Sequence, residues 1–259
     1  MKKEDTLWAG KKRYHFTVTD STNEQAKKLA WEGAVHGTLV TADRQTNGKG
    51  RRGRSWESEE SSGIYMSLIL KPDMLPEHAP MLTLVMAYSV SVAIRNLLKE
   101  TETISYIKWP NDIVMNQKKI CGILTEMELN QSNIAHIIVG IGINVNQKAF
   151  PKEITTASSL LLETGQNLQK EELIQEILRQ FEKDYAVFLK TKDLKGIKEA
   201  YESLLINKNK QVMVLEPTGS WNGVAVGITD QGELIVDTKD GYRYVSSGEV
   251  SVRGVYGYV

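Results

Sequence analysis

What most constrains the fold of this chain is the order of its patterns. One long, nearly all-apolar helical segment, 81–98, is followed by four strand candidates crowded between residues 104 and 145. Thr83, Tyr88, Ser89 and Ser91 are the few polar interruptions of the first segment, so it reads as a largely buried helix. The strand candidates are 104–108, 113–115, 120–126 and 134–145, with a hairpin turn at Asn116-Gln117-Lys118 and a polar turn at 130–133. Helices that come in a run, followed by meandering strands, point to an α+β fold and not to a doubly wound one. Before the long helix, 21–30 reads as a helix with Ala26, Leu29 and Ala30 on its inner face. Ser21 stands at its cap position, and Glu24 follows three residues later as in a capping box. Segments 38–42 and 64–70 are strand candidates. Segment 152–164 reads as a loop with a short helix, and 168–189 as an amphipathic helix carrying Leu173, Ile177, Leu178, Phe181, Tyr185 and Phe188 on one face.

The pattern changes at Asn207-Lys208-Asn209-Lys210. Beyond it lie short strand candidates at 211–215, 223–228, 234–237 and 242–245, separated by Asp230-Gln231-Gly232 and Asp240-Gly241. Strands this closely spaced predict a small barrel. The expected division is therefore 1–206 and 207–259. Cys121, the chain's one cysteine, lies in an apolar run, which excludes an intramolecular disulfide and fits a reducing, cytoplasmic setting. Residues 1–10 are charged and lack an apolar h-region, and no run approaches the ~18 apolar residues of a membrane span. The formal net charge is +0, so any anion binding must be local.

That local charge is at Gly48-Lys49-Gly50-Arg51-Arg52-Gly53-Arg54. Segment 43–54 holds five cations against one anion, Asp43. Glycines admit close backbone approach and the cations supply charge, so the segment suits a loop folded over a phosphate or acyl-phosphate. The bland alternative is a solvated basic loop. The spacing is neither that of a P-loop nor that of the dinucleotide fingerprint. A second motif is Lys108-Trp109-Pro110-Asn111-Asp112. A lysine at a strand end, stiffened by Trp109 and Pro110, suits an oxygen where negative charge builds up. A solvent-facing lysine beside a structural corner is the competing reading. A third is Gly140-Ile141-Gly142-Ile143-Asn144-Val145-Asn146. Glycines within a strand mark close approach by a ligand or another strand, and an Asn among apolar neighbours needs partners that an adenine edge or a turn would supply.

Together, in this order and spacing, Ser21-Thr22-Asn23, the segment from Gln45 to Arg54, Lys108 to Asp112 and Gly140 to Asn144 resemble the motifs of the biotin protein ligases. The resemblance covers nearly the whole chain. It implies a mixed-sheet catalytic domain of the biotin/lipoate ligase type followed by an SH3-like barrel. It also implies the chemistry: biotin and ATP give biotinyl-AMP, and a lysine of a biotin carboxyl carrier domain then takes the biotin. By the same resemblance Lys108 and Arg51 are catalytic. Lys108 would bridge the biotin carboxyl and the α-phosphate; Arg51 would hold the mixed anhydride. Ser21, Thr22 and Gln45 would line the biotin head-group pocket, and Gly50, Arg51 and Arg52 would close over the adenylate. Gly122 would lie against biotin and Asn144 would meet adenine, with 155–160 bordering the nucleotide. Asn23, Gly48, Lys49, Arg54, Trp56 and Asn111 complete the implied site. Mg²⁺ is implied with ATP, without assignable protein ligands, and a homodimer is among the family's forms. Two features depart from the family pattern. Lys49 stands where arginine is usual, which would remove a bidentate contact. The Ser-Thr-Asn motif begins at residue 21, which leaves no room for the helix-turn-helix of the bifunctional members, so no repressor role is expected.

Besides a degenerate, inactive homologue, for which Lys49 is the only hint, two other readings stay open on the residues. One is a lipoate or octanoate ligase of the same superfamily. The other is a nucleic-acid-binding module using the basic loop and the barrel. Against the second, segment 211–259 holds three cations, Lys239, Arg243 and Arg253, and six anions, Glu216, Asp230, Glu233, Asp237, Asp240 and Glu249.

Overall fold

The computed structural model describes residues 5–57, 61–98, 104–248, 250–254 and 258–259. Glu249 of the charge comparison and the first four residues of the charged N-terminus lie outside them. The elements in chain order begin with β1 (Arg13–Thr19), α1 (Thr22–Trp31), β2 (Leu39–Gln45), β3 (Gly48–Lys49), β4 (Ser55–Trp56) and β5 (Gly63–Leu70). There follow α2 (Met81–Leu97), β6 (Tyr106–Lys108), β7 (Asp112–Met115), β8 (Lys118–Asn130) and β9 (Asn133–Asn144). Then come α3 (Leu160–Thr164), α4 (Lys170–Thr191) and α5 (Lys198–Ser203). The last strands are β10 (Lys210–Glu216), β11 (Gly219–Ile228), β12 (Leu234–Thr238), β13 (Gly241–Val245) and β14 (Ser251–Gly254).

Seven strands form a mixed sheet in the order β1-β2-β5-β9-β8-β7-β6. Only β1 and β2 pair in parallel; the other neighbours are antiparallel. Strand β5 shows why apolar runs defeat a simple alternation rule. Every residue of Gly63–Leu70 is buried, because the sheet is covered on both faces. Ile69 packs with Ala26, Ala30, Val40 and Ile138 under α1. Met66, Leu68 and Leu70 face the main core beneath α2 and α4. Since successive side chains of a strand point to opposite faces, Ser67 shares the α1 face with Ile69, and Gly140 and Gly142 share it with Ile138. This is the face that carries the site.

The second sheet runs β13-β12-β11-β10-β14, antiparallel throughout. One continuous cluster of buried apolar side chains includes Ile107 and Trp109 of the first sheet region and Val212, Val214, Leu234 and Val236 of the second. Trp109 is the joint. Its Nε1–H donates to Gly232 O (2.9 Å), and its backbone N–H donates to Asn207 Oδ1 (2.9 Å).

The expected turn at 116–118 is present, with Asn116 and Gln117 both left-handed (φ 47° and 65°), as a tight hairpin requires. Five elements had no forecast: β1, a half-exposed edge strand, the two-residue β3 and β4, the six-residue α5, and β14. The capping expectation is corrected. Ser21 sits at the N-cap but makes no side-chain capping bond. Its backbone N–H goes to Asp20 Oδ1 (2.7 Å), and Gln45 Oε1 from β2 accepts the Thr22 N–H (2.7 Å). Glu24 is drawn outward to two lysines instead of back to the cap. The expectation on membrane spans is also corrected. Segment Pro76–Leu97 is long and apolar enough to cross a membrane by length and composition alone. However, 67% of its most apolar 18-residue window is buried inside the fold, as in a core helix.

Candidate active site

Two adjoining cavities open on the α1 face of the large sheet. The floor of the first is a patch of glycines. Gly122 of β8 and Gly142 of β9 are cross-strand partners, and Gly140 pairs with Leu124 two residues along. A β-carbon on Gly140 would lie 2.1 Å from Asn23 Oδ1, and one on Gly142 would lie 2.6 Å from the Trp56 ring. A β-carbon on Gly122 would meet Trp56 at 2.8 Å and Lys119 Nζ at 3.1 Å. The missing side chains are therefore what lets α1, Trp56 and Lys119 come down onto the sheet.

On the α1 and β2 side the cavity is walled by uncharged side chains tied together by hydrogen bonds. Thr22 donates from both N–H and Oγ1 to Gln45 Oε1 (2.7 and 3.1 Å). Ser67 Oγ donates to Asn23 Oδ1 (2.6 Å), and Asn23 Nδ2 donates to Glu126 Oε2 (2.7 Å). Ser21, Thr22, Asn23 and Gln45 line one side; Lys49, Gly50, Arg51 and Trp56 of the basic loop close the other. The loop is a small hairpin. Gly48 pairs with Trp56 and Lys49 with Ser55, around a tight turn at Arg51–Gly53 in which Arg52 and Gly53 are left-handed (φ 58° and 72°). Lys49 Nζ holds the hairpin to α1 through Glu24 (2.8 Å), and this bond keeps the Glu24 carboxyl below its ordinary range.

The second cavity is cationic. Arg51, Arg52, Arg54, Lys108, Lys119 and Arg253 line it, and Asp112 is the one carboxylate among its lining residues. Lys108 ends β6 beside the cis Trp109–Pro110 bond and is only 5% exposed. Burial pulls its ammonium down to about 8, against the opposing field of Asp112. Burial alone would raise Asp112, but Lys119 and Lys108 outweigh it and hold the carboxyl below the usual range. Lys119 Nζ is 2.7 Å from Asp112 Oδ1, and the Tyr258 hydroxyl donates to the other oxygen. Arg51 spans the mouth. It donates to Asn111 Oδ1 (3.1 Å) and to the carbonyls of Ser247, Gly248 (3.1 Å) and Val250 (3.3 Å). Its partners are neutral, and burial lowers its pKa. Arg51, Asn111, Lys119, Trp56 and Gly50 line both cavities and form the passage between them.

Known proteins share this sequence pattern and this fold. Residues 15–144 match the model of the biotin/lipoate A/B protein ligase family, and residues 209–253 match the biotin protein ligase C-terminal domain. The bifunctional ligase/repressor BirA of Bacillus subtilis is 39% identical over 242 residues, covering 92% of this chain and 73% of that protein. The chain belongs to the biotin protein ligase family. The biotin–[acetyl-CoA-carboxylase] ligase of Paracoccus denitrificans is 29% identical, covering 91% of this chain and 98% of that one. The biotin protein ligase of Aquifex aeolicus, solved in complex with biotin and ATP, superposes with a TM-score of 0.80 at 33% identity over 94% of this chain and 99% of that one.

Against the family motifs, the fold brings Ser21, Thr22, Asn23, Gln45, Lys49 and Gly122 to the neutral cavity, and Arg52, Arg54 and Lys108 to the cationic one. Gly48 lies behind the hairpin against Trp56 O. Asn144 lines neither cavity. It is 5% exposed, donates to Ser158 O (3.0 Å) and accepts from Gln147 Nε2 (3.4 Å). Sequence reasoning missed Lys119, Asp112, Arg253 and Tyr258. Asp112 closes the Lys-Trp-Pro-Asn-Asp motif, but the motif by itself gives no sign that it sits between Lys119 and Tyr258. Lys119 follows the 116–117 turn and carries no motif signal; it reaches Gly122, three residues on in the same strand, across the irregularity in the β7–β8 ladder.

Proposed function

We propose that this chain is a biotin protein ligase that uses ATP to make biotinyl-AMP and transfers the biotin to a lysine of a biotin carboxyl carrier domain. The observation that carries the reading is the pairing of the two cavities. The hydroxyls and amides of Ser21, Thr22, Asn23 and Gln45 along one wall, over a glycine floor, suit an uncharged ureido ring, and the cations Lys49, Arg51 and Lys119 stand on the opposite side. It opens through Lys119 and Arg51 onto a cavity of six cations, which suits a triphosphate. The reacting carboxylate and α-phosphate are both anions, so the charge that lets them meet must be supplied where the cavities join.

In this reading Ser21, Thr22 and Gln45 orient the head group. Lys119 stands at the junction, and Lys108 supplies positive charge on the nucleotide side. The biotin carboxylate oxygen attacks the α-phosphorus and pyrophosphate leaves. Arg51, Arg52 and the Gly50 backbone then shield the mixed anhydride from water. In the second step the acceptor amine attacks the acyl carbon, loses a proton, and AMP leaves. Mg²⁺ enters with the nucleotide as MgATP. Asp112, the cavity's carboxylate, is already held by Lys119 and Tyr258, and no cluster of three metal-ligating side chains occurs among the described residues.

The same proposal takes 1–206 as the catalytic unit and the segment from 207 as an SH3-like module, in a cytoplasmic protein capable of homodimerisation. It expects neither DNA nor membrane as a partner. The test is intact mass after incubation with MgATP, biotin and a recombinant carrier domain. A gain of one biotinyl group on the carrier is expected. No gain and no biotin binding would refute the reading, and gain from octanoate or lipoate instead would replace it with an acyl ligase.

A further inference from the structure

Lys108 has its open side covered by the chain itself. Its Nζ lies 3.8 Å from the centroid of the Tyr258 ring, a cation–π contact. The hydroxyl of the same tyrosine donates to Asp112, whose other oxygen meets Lys119. Tyr258 thus engages, directly or through one carboxylate, both lysines at the heart of the cationic cavity. The second sheet brings Arg253 to the same wall. An anionic oxygen needs to come within about 3 Å of Nζ to accept a charge-assisted hydrogen bond. It cannot do so through the face the ring covers, and with the ring in place Lys108 is only 5% exposed.

We propose that Tyr258 is a built-in competitor for the nucleotide, occupying the place of its phosphate oxygens at Lys108 and leaving when MgATP binds. This rests on reading the cationic cavity as the nucleotide-phosphate site. The ring and hydroxyl stand in for the missing ligand: the π face partly balances the ammonium, and the O–H satisfies a carboxylate oxygen. The resting site is then closed against stray anions, and apparent affinity for nucleotide is set by the fraction of molecules with Tyr258 withdrawn. Glu24 and Lys49 hold the other end of the site shut from a different element, so the effect should be confined to nucleotide and not to biotin.

The experiment is calorimetric titration of the full chain with Mg²⁺ and a non-hydrolysable α,β-methylene ATP, for wild type, Tyr258→Ala and Tyr258→Phe. Removing the ring should tighten binding about tenfold, the order expected for a partly desolvated cation–π contact. The phenylalanine keeps the ring but loses the bond to Asp112, and should fall between the two. Biotin affinity without nucleotide should not change. Unchanged or weaker nucleotide binding in both variants would overturn the proposal. Should Tyr258→Ala fail to fold, Tyr258→Phe decides alone, since it must bind tighter than wild type. If the wild type biotinylates a carrier and binds the analogue, the ligase reading stands whatever the variants do. If it does neither, that reading falls and takes this inference with it.

Discussion

The two ends of the site are built on opposite principles. At the Ser21–Gln45 end Thr22 is tied to Gln45 and Ser67 to Asn23, and the shape is held by these neutral hydrogen bonds over a floor of glycines. At the Lys108–Asp112–Lys119 end cations outnumber the single carboxylate six to one, and burial has already moved the Lys108 ammonium down to about 8. The first end is preorganised and waits for a shape. The second is electrostatically unbalanced and waits for a charge. A ligand joining an uncharged ring to an acid, and then to a polyphosphate, matches both ends in order.

The contrast is broken hardest at the charged end. Lys108→Ala should slow adenylation by about 10²–10³, and Lys119→Ala by at least as much because it faces both cavities, with biotin binding kept better than turnover. Pyrophosphate release measured beside biotin binding checks the split; near-normal adenylation would remove the role. Arg51→Gly should speed loss of biotinyl-AMP by about tenfold or more, since the closing cation and its ties to Ser247, Gly248 and Val250 disappear together. Promiscuous labelling of bystander proteins is the readout, and unchanged release would count against it.

At the neutral end, Gly140→Ala puts a carbon 2.1 Å from Asn23 Oδ1. It should cost about 1–3 kcal/mol of stability and weaken biotin more than ATP, checked by thermal melts and separate titrations. The pH dependence sharpens the same division. Lys108 is charged below about 8 and loses its charge above it, so kcat/KM for MgATP should fall about tenfold per pH unit beyond that point while biotin affinity stays flat. The smallest effect is expected at the family departure. Lys49→Arg keeps the exposed pair with Glu24, so activity should stay within about twofold. A large gain would mean that the usual arginine does something the lysine cannot.

Much of this could be read from the chain. The glycine-and-arginine loop, the Lys-Trp-Pro-Asn-Asp corner and the glycine-bearing strand were visible because each breaks a local rule of composition or conformation. The long helix and the 116–117 hairpin were visible because periodicity and turn residues agree. What escaped was set by pairing at a distance. Strand β1 carries little burial and is held by its parallel partner β2. The cap of α1 comes from Gln45 on another element, so the local Ser21–Glu24 signal was misleading. Asn144 is a buried polar group whose partners in the fold, Ser158 and Gln147, both lie beyond the end of its strand, so the sequence pattern alone did not name them.

By itself, the sequence determined which chemical groups this protein has and where the backbone must bend: cations alternating with glycine, a stiff Trp-Pro corner, strands without side chains at 140 and 142. Tertiary structure alone decided which of those groups meet. Register brings Gly122 opposite Gly142, and the irregularity in the β7–β8 ladder lets Lys119 reach the floor. The second sheet brings Arg253 and Tyr258 to Lys108. The reason is physical: backbone preference and side-chain chemistry are local properties of a residue, whereas a field strong enough to bind two anions arises only from charges that packing holds together against their own repulsion.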